Sequence, residues 1–133
     1  MEYLLDTNIC IYIIKRRPPP VLERFRSRNL GEIGISSITV AELSYGVQKS
    51  QRVAQNQVAL EQFLLPLALL EFDEAAAWTY GKIRAELERQ GNPIRSLDLL
   101  IAAQALNRGI TLVTNNRGEF ERVDGLAMEN WAS

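Results

Sequence analysis

Five short apolar runs, spaced too widely for hairpin connections, constrain this 133-residue chain more than any other feature. They are Tyr3-Leu4-Leu5, Ile33 to Ser36, Leu67 to Phe72, Ile110 to Thr114 and a terminal run near Ala127 to Glu129. Segments with helical periodicity fill the intervals between them. Antiparallel neighbours need only a two-residue turn, whereas parallel neighbours need a crossover of about a dozen residues or more. The spacing therefore predicts a mostly parallel sheet with helices on both faces, in one α/β domain spanning residues 1–133.

The helix boundaries follow from capping and breaking residues. Asp6-Thr7-Asn8 offers caps for a helix over Ile9 to Ile14, and the run Lys15 to Pro20 breaks it before a second helix over Val21 to Arg28. Val40, Leu43 and Val47 mark the apolar face of a helix over Thr39 to Lys49. Arg52 to Leu65 forms the next one, stopped by Pro66. Asp73 caps a long helix over Glu74 to Gln90, closed by Gly91. Ser96 is placed to cap a largely buried helix over Leu97 to Asn107, and a helical turn is expected around Arg117 to Phe120.

The chain contains no histidine, which excludes Ser-His-Asp and Cys-His catalysis, His-containing zinc sites and histidine general bases within it. Its one cysteine, Cys10, has no internal disulfide partner and lies in the apolar run Ile9 to Ile14, as a core thiol would. Fifteen basic against sixteen acidic residues give a formal charge of -1, so the chain is no basic tail that clings to any polyanion. Residues 1 to 30 nevertheless hold six basic against three acidic residues, and twelve of all the cations are arginine, whose planar fork suits phosphate. The start carries no cationic leader, and Asp6 and Asn8 interrupt its apolar stretch. Neither a signal peptide nor a membrane span is expected, and the expected location is the cytoplasm.

Ligands of open parallel sheets bind beyond the carboxyl ends of the strands. Four acidic residues meet that condition: Asp6 directly after the first strand, Glu42 in the first turn of the helix after the second, Asp98 near the start of the apolar helix, and Glu119 after the fourth strand. Their separations of 36, 56 and 21 residues mean that only a tertiary fold brings them together. Clustered carboxylates repel one another unless a cation neutralises them, and oxygen ligands without Cys or His favour Mg2+, with Mn2+ as a substitute. An ion of that kind activates water and offsets charge on a phosphodiester. The plainer reading is local: Thr39 with Glu42 and Asn116 with Glu119 have capping-box spacing, and Asp6 and Asp98 suit helix N-termini. Thr7, Asn8, Ser37, Thr114 and Asn116 fall at strand ends, where they serve either as supporting polar groups or as turn formers.

Four blocks, in order and at family spacing, resemble the PIN-domain ribonucleases, and more narrowly the VapC-type toxins of bacterial toxin-antitoxin pairs. They are Leu5 to Asn8, Ser36 to Gly46, Asp98 to Ala105 and Val113 to Phe120, and the closing Glu129-Asn130-Trp131 is similar too. The resemblance implies a three-layer α/β/α sandwich and a Mg2+-dependent endoribonuclease whose acidic ligands are Asp6, Glu42 and Asp98. Asn115, Asn116 and Glu119 compete for the fourth place, Glu119 being the charged one. It further implies a homodimer and a VapB-like antitoxin that fills an apolar groove and places a basic side chain in the acidic pocket. Promoter DNA would be bound only through the antitoxin complex. Structured RNA, tRNA above all, is the implied substrate, cut to leave a 5'-phosphate unless the ribose 2'-OH is the nucleophile. Groove candidates are Ile11, Tyr12, Ile14, Leu60, Phe63 and Leu64, for each of which ordinary core packing is the equal alternative, and candidate phosphate contacts are Arg16, Arg17, Arg95 and Arg117.

Two other classes compete. A Mg2+-dependent phosphoryl-transfer domain also places Asp after its first strand, but the motif here is Asp6-Thr7-Asn8 and not Asp-x-Asp. A non-catalytic RNA-binding or antitoxin-binding subunit would use the same pocket without cutting.

Overall fold

In the computed structural model, which describes residues 1–133, β1 (Tyr3–Leu5) is the central strand because both of its edges are paired. It lies parallel to β2 (Ile33–Ser36) on one side and to β4 (Thr111–Val113) on the other. β3 (Ala68–Leu70) and β5 (Met128–Glu129) complete the sheet, in the order β3-β2-β1-β4-β5, and every pair is parallel. Register explains the apolar runs. Leu4 lies beside Leu112 and faces one side, while Leu5 lies between Ile35 and Val113 and faces the other; all four leucines and valines of β1 and β4 named here are fully buried. Both faces being covered, the strands read as continuous apolar sequence and not as an alternation.

The Leu5 face is covered by α1 (Thr7–Lys15), α2 (Pro19–Arg26), α3 (Ser37–Gln48) and α4 (Val53–Leu64), through Ile9, Ile13, Val21, Leu43 and Leu60. The Leu4 face is covered chiefly by α6 (Ser96–Arg108), through Ile101, Ala102 and Ala105, and by Phe120 of α7 (Arg117–Phe120). α5 (Glu74–Arg89) packs outside α6. This is the expected three-layer α/β/α sandwich. Each fully buried leucine or phenylalanine adds about 1.5–3 kcal/mol relative to exposure. Cys10 is buried as expected, and burial, with Asp6 nearby, holds its thiol well above the usual range.

Several boundaries differ from the sequence reading. α3 starts at Ser37, directly at the end of β2, because the Ser36 hydroxyl accepts the Ile38 N–H at 2.9 Å. Thr39 is therefore a buried helical residue, and its spacing to Glu42 is not a capping box. α2 starts at Pro19, where a proline costs no helical hydrogen bond. Ser96 is the first helical residue of α6 and caps nothing; Arg95 holds the cap position without a side-chain bond, and Asp98 supplies negative charge to the first turn. At α7 the Asn116 side-chain amide donates to the Glu119 carboxylate and caps no backbone N–H, so this pair is not a capping box either.

One buried polar group ties the layers together. Gln104 of α6 is 1% exposed; its oxygen accepts from the Ser36 hydroxyl and its amide donates to the Leu70 carbonyl at 3.1 Å. The helix that carries Asp98 is thereby fixed against the ends of β2 and β3.

Candidate active site

All strands run the same way, so Asp6, Ser36 and Thr114 emerge at one edge of the sheet. Asp6 continues the β1 ladder, its N–H donating to the Val113 carbonyl at 3.0 Å. Its side chain then turns to cap α1, accepting the Ile9 N–H at 2.9 Å. The local reading and the functional one are thus both true of this residue. Asp6 is 5% exposed, and no lysine or arginine forms an ion pair with it. Burial raises its pKa, while the Thr114 hydroxyl and the Ile9 N–H lower it and the charge of Glu42 raises it further.

Glu42 lies in the second turn of α3, one turn later than the sequence reading placed it. The Thr7 hydroxyl donates to its Oε1 at 2.7 Å and lies 3.3 Å from the Thr39 hydroxyl, which locks the carboxylate against the start of α1. Asp98, in the first turn of α6, has its pKa pushed from 3.8 to about 6. Burial is the largest cause; Arg95 opposes it, and Glu119, Glu42 and Asp6 add to it. Glu119 Oε2 accepts from the Asn116 amide at 2.5 Å, and its Oε1 from the Arg95 backbone N–H at 3.3 Å.

Asp6, Glu42, Asp98 and Glu119 all line one cleft of about 1210 Å³. In it Arg95 reaches Glu42 at 3.3 Å and Asp98 at 3.4 Å, and no three acidic side chains are set as a ligand group. The donor chemistry still fits a hard divalent cation: four carboxylates, no sulfur or imidazole on the wall, and in Asp6 a buried carboxylate without a protein counter-charge, which is costly to keep ionised.

The supporting residues divide. Thr7 and Thr114 hold carboxylates, Asn116 holds Glu119, and Asn8 lines the wall. Ser37 does not take part: its hydroxyl accepts the Phe72 N–H at 3.1 Å and joins α3 to the end of β3. Asn115 pairs with the Tyr12 hydroxyl at 3.1 Å, outside the cleft, which leaves Asn116 and Glu119 on its wall. Of the arginines, Arg95 lines the cleft and Arg16, Arg17 and Arg117 do not. Lys15 and Lys49 do, and the sequence reading missed them; the cue for Lys49 was its helical spacing of seven from Glu42. Tyr45 stands at the rim, 66% exposed, under the Lys49 ammonium at 4.9 Å. At the apolar end Ile11, Ile14 and Leu60 line the wall together with Leu43, Val47 and Ala59. Tyr12, Phe63 and Leu64 do not: they pack against the core, Phe63 beside Phe25 at 6.2 Å.

A parallel sheet of this order with an acid-walled cleft at its carboxyl edge defines a class, and residues 3–126 match the family described as the PIN domain. The chain belongs to the PIN-domain family. Within it, the chain groups with the VapC ribonucleases: the protein named tRNA(fMet)-specific endonuclease VapC from Shigella flexneri is 48% identical over 132 residues, 99% of each chain. Among solved structures, the DNA-bound VapBC of Salmonella typhimurium gives a TM-score of 0.93 at 44% identity, covering 98% of each chain. VapBC2 of Rickettsia felis, bound to a DNA fragment from its promoter, gives 0.90 at 44% identity over 98% of this chain and 99% of that one. No helix is long and apolar enough to cross a membrane.

Proposed function

We propose that residues 1–133 act as one nuclease unit, the toxin of a toxin-antitoxin pair, and cut structured RNA with the help of Mg2+, which Mn2+ replaces. A tRNA is the first substrate to try, since the Shigella relative is named for one. The observation that carries this reading is the buried Asp6 carboxylate, without a cationic partner, at the floor of a cleft walled by Glu42, Asp98 and Glu119. Asp6, Glu42 and Asp98 would hold the ion, with Glu119 beside them. Bound there, it would supply activation of water and stabilisation of charge on the phosphodiester.

The chain's own groups prepare that site. Thr7 fixes the direction of Glu42, and the Ile9 N–H and Thr114 hydroxyl fix that of Asp6. Without an ion, Asp98 retains a proton below about pH 6. Lys15, Lys49 and Arg95 offer positive charge to backbone phosphates along the cleft, and the exposed Tyr45 ring offers a surface for a base. The apolar end, Ile11, Ile14, Leu43, Val47 and Leu60, suits an apolar segment of a VapB-like antitoxin, whose basic side chain would then reach the acidic end. The VapBC complexes of the relatives support that partner, and DNA contact through it. The homodimer is part of the same proposal.

The test is cleavage of a tRNA pool by the purified chain, with and without Mg2+, followed by mapping of new 5' ends. A discrete Mg2+-dependent cut that disappears in Asp6→Asn and Asp98→Asn is the expected result. Equal cutting by all three proteins would overturn the assignment.

A further inference from the structure

We propose that Arg95 is a built-in competitor for the divalent cation, seated on Glu42 and Asp98 when no ion is bound and obliged to leave before they can ligate one. The inference rests on the reading above that the cleft takes such an ion.

Arg95 touches three of the four acids. Its guanidinium lies 3.3 Å from Glu42 and 3.4 Å from Asp98, and its backbone N–H donates to Glu119 at 3.3 Å. An arginine paired with an aspartate three residues on is an ordinary surface pair at the start of a helix. The contact to Glu42 is not of that kind: it crosses the cleft to a residue 53 positions away on α3. A single positive group there reduces the repulsion among carboxylates, which is the electrostatic task a metal would perform.

The clamp is also built to open. Its contacts are longer than the roughly 2.7–2.9 Å of strong charge-assisted bonds. The side chain is 65% exposed, so withdrawing it uncovers little surface. The guanidinium makes no hydrogen bond or ion pair other than those to Glu42 and Asp98, so it has no second structural duty. Arg95 also borders an open hollow with Pro93, Asn116, Gly118, Glu119 and Arg122, where the displaced group would meet solvent, the Glu119 carboxylate and, against it, the like charge of Arg122. Arg95 does not contact Asp6, so an arriving ion meets one free carboxylate before it displaces the arginine from the other two.

The experiment is calorimetric titration of Mn2+ into EDTA-stripped and dialysed protein at physiological salt, with circular dichroism confirming the fold of each variant. Arg95→Ala should bind Mn2+ roughly three- to tenfold more tightly than wild type, as expected for loss of two half-exposed ion pairs. Arg95→Lys, which keeps the charge and loses the fork, should fall between them. Arg122→Ala removes a neighbouring charge with no contact to Glu42 or Asp98 and should stay within about twofold of wild type. Unchanged or weaker binding by Arg95→Ala, or an equal gain in Arg122→Ala, would overturn the competition. Absence of divalent binding by the wild type would instead sink the metal reading itself, a result distinct from either.

Discussion

Asp98→Asn should make the ion-free protein more stable at neutral pH while removing its activity. The side chain is charged in the unfolded chain above pH 3.8 but resists charging in the fold until about pH 6. Its folded-state value lies above the unfolded one, so its contribution to stability is fully present below pH 3.8 and is lost as the pH rises through 6. The full shift corresponds to about 3 kcal/mol. The side chain is still 21% exposed and gives up its Arg95 contact on substitution, which reduces the expected gain to about 1–2 kcal/mol. Equilibrium urea unfolding in EDTA would measure it: a gain of about that size near pH 7.5, roughly half of it near pH 5, and almost none near pH 4. Adding Mg2+ should shrink that advantage, because an ion at about ten times its dissociation constant stabilises the wild type by about 1.4 kcal/mol and the variant by less. A variant that is less stable in EDTA at neutral pH, by an amount that does not shrink on acidification, would refute the reasoning.

Gln104→Leu keeps the volume of the buried side chain but leaves the Ser36 hydroxyl and the Leu70 carbonyl without their partner, and it should cost about 2–4 kcal/mol in urea unfolding. Because Ser36 also caps α3, surviving folded protein should cut more slowly at saturating substrate. Ala59→Arg projects from an exposed position into the apolar end of the cleft; it should leave thermal unfolding and RNA cutting unchanged and abolish co-purification with the co-expressed antitoxin. A stable complex of that variant would show that the antitoxin segment docks elsewhere.

The sheet was legible because β1, β2 and β4 are buried on both faces, which leaves uninterrupted runs such as Leu4-Leu5 and Leu112-Val113 in the sequence. That Asp6 opens the cleft could be counted from the end of β1, whereas Glu42 and Asp98 were placed by the helices that carry them, α6 following α5 and not a strand. Boundaries were less so. Ser36 ends a strand and caps a helix at once, and a sequence reading that allots a loop between the two starts α3 late. The roles of Arg95, Thr7 and Lys49 depend on side chains from α1, α3 and α6 meeting across a cleft, over separations such as the 35 residues from Thr7 to Glu42. Local pattern carries no signal of that length. For Tyr12, Phe63 and Leu64 the core alternative holds and not the groove: periodicity identifies an apolar face but not whether another helix already covers it.

Asp6 closes β1 and begins α1, Glu42 waits on α3, and Asp98 arrives only with α6. Parallel strands joined by long excursions place most stabilising contacts late in the folding of such a chain. If those acids act together as proposed, the cleft that would cut RNA exists only once β1, α3 and α6 have docked on one sheet. A restraining partner would then have something to restrain only after that docking, because before it the acids stand on separate elements of the chain.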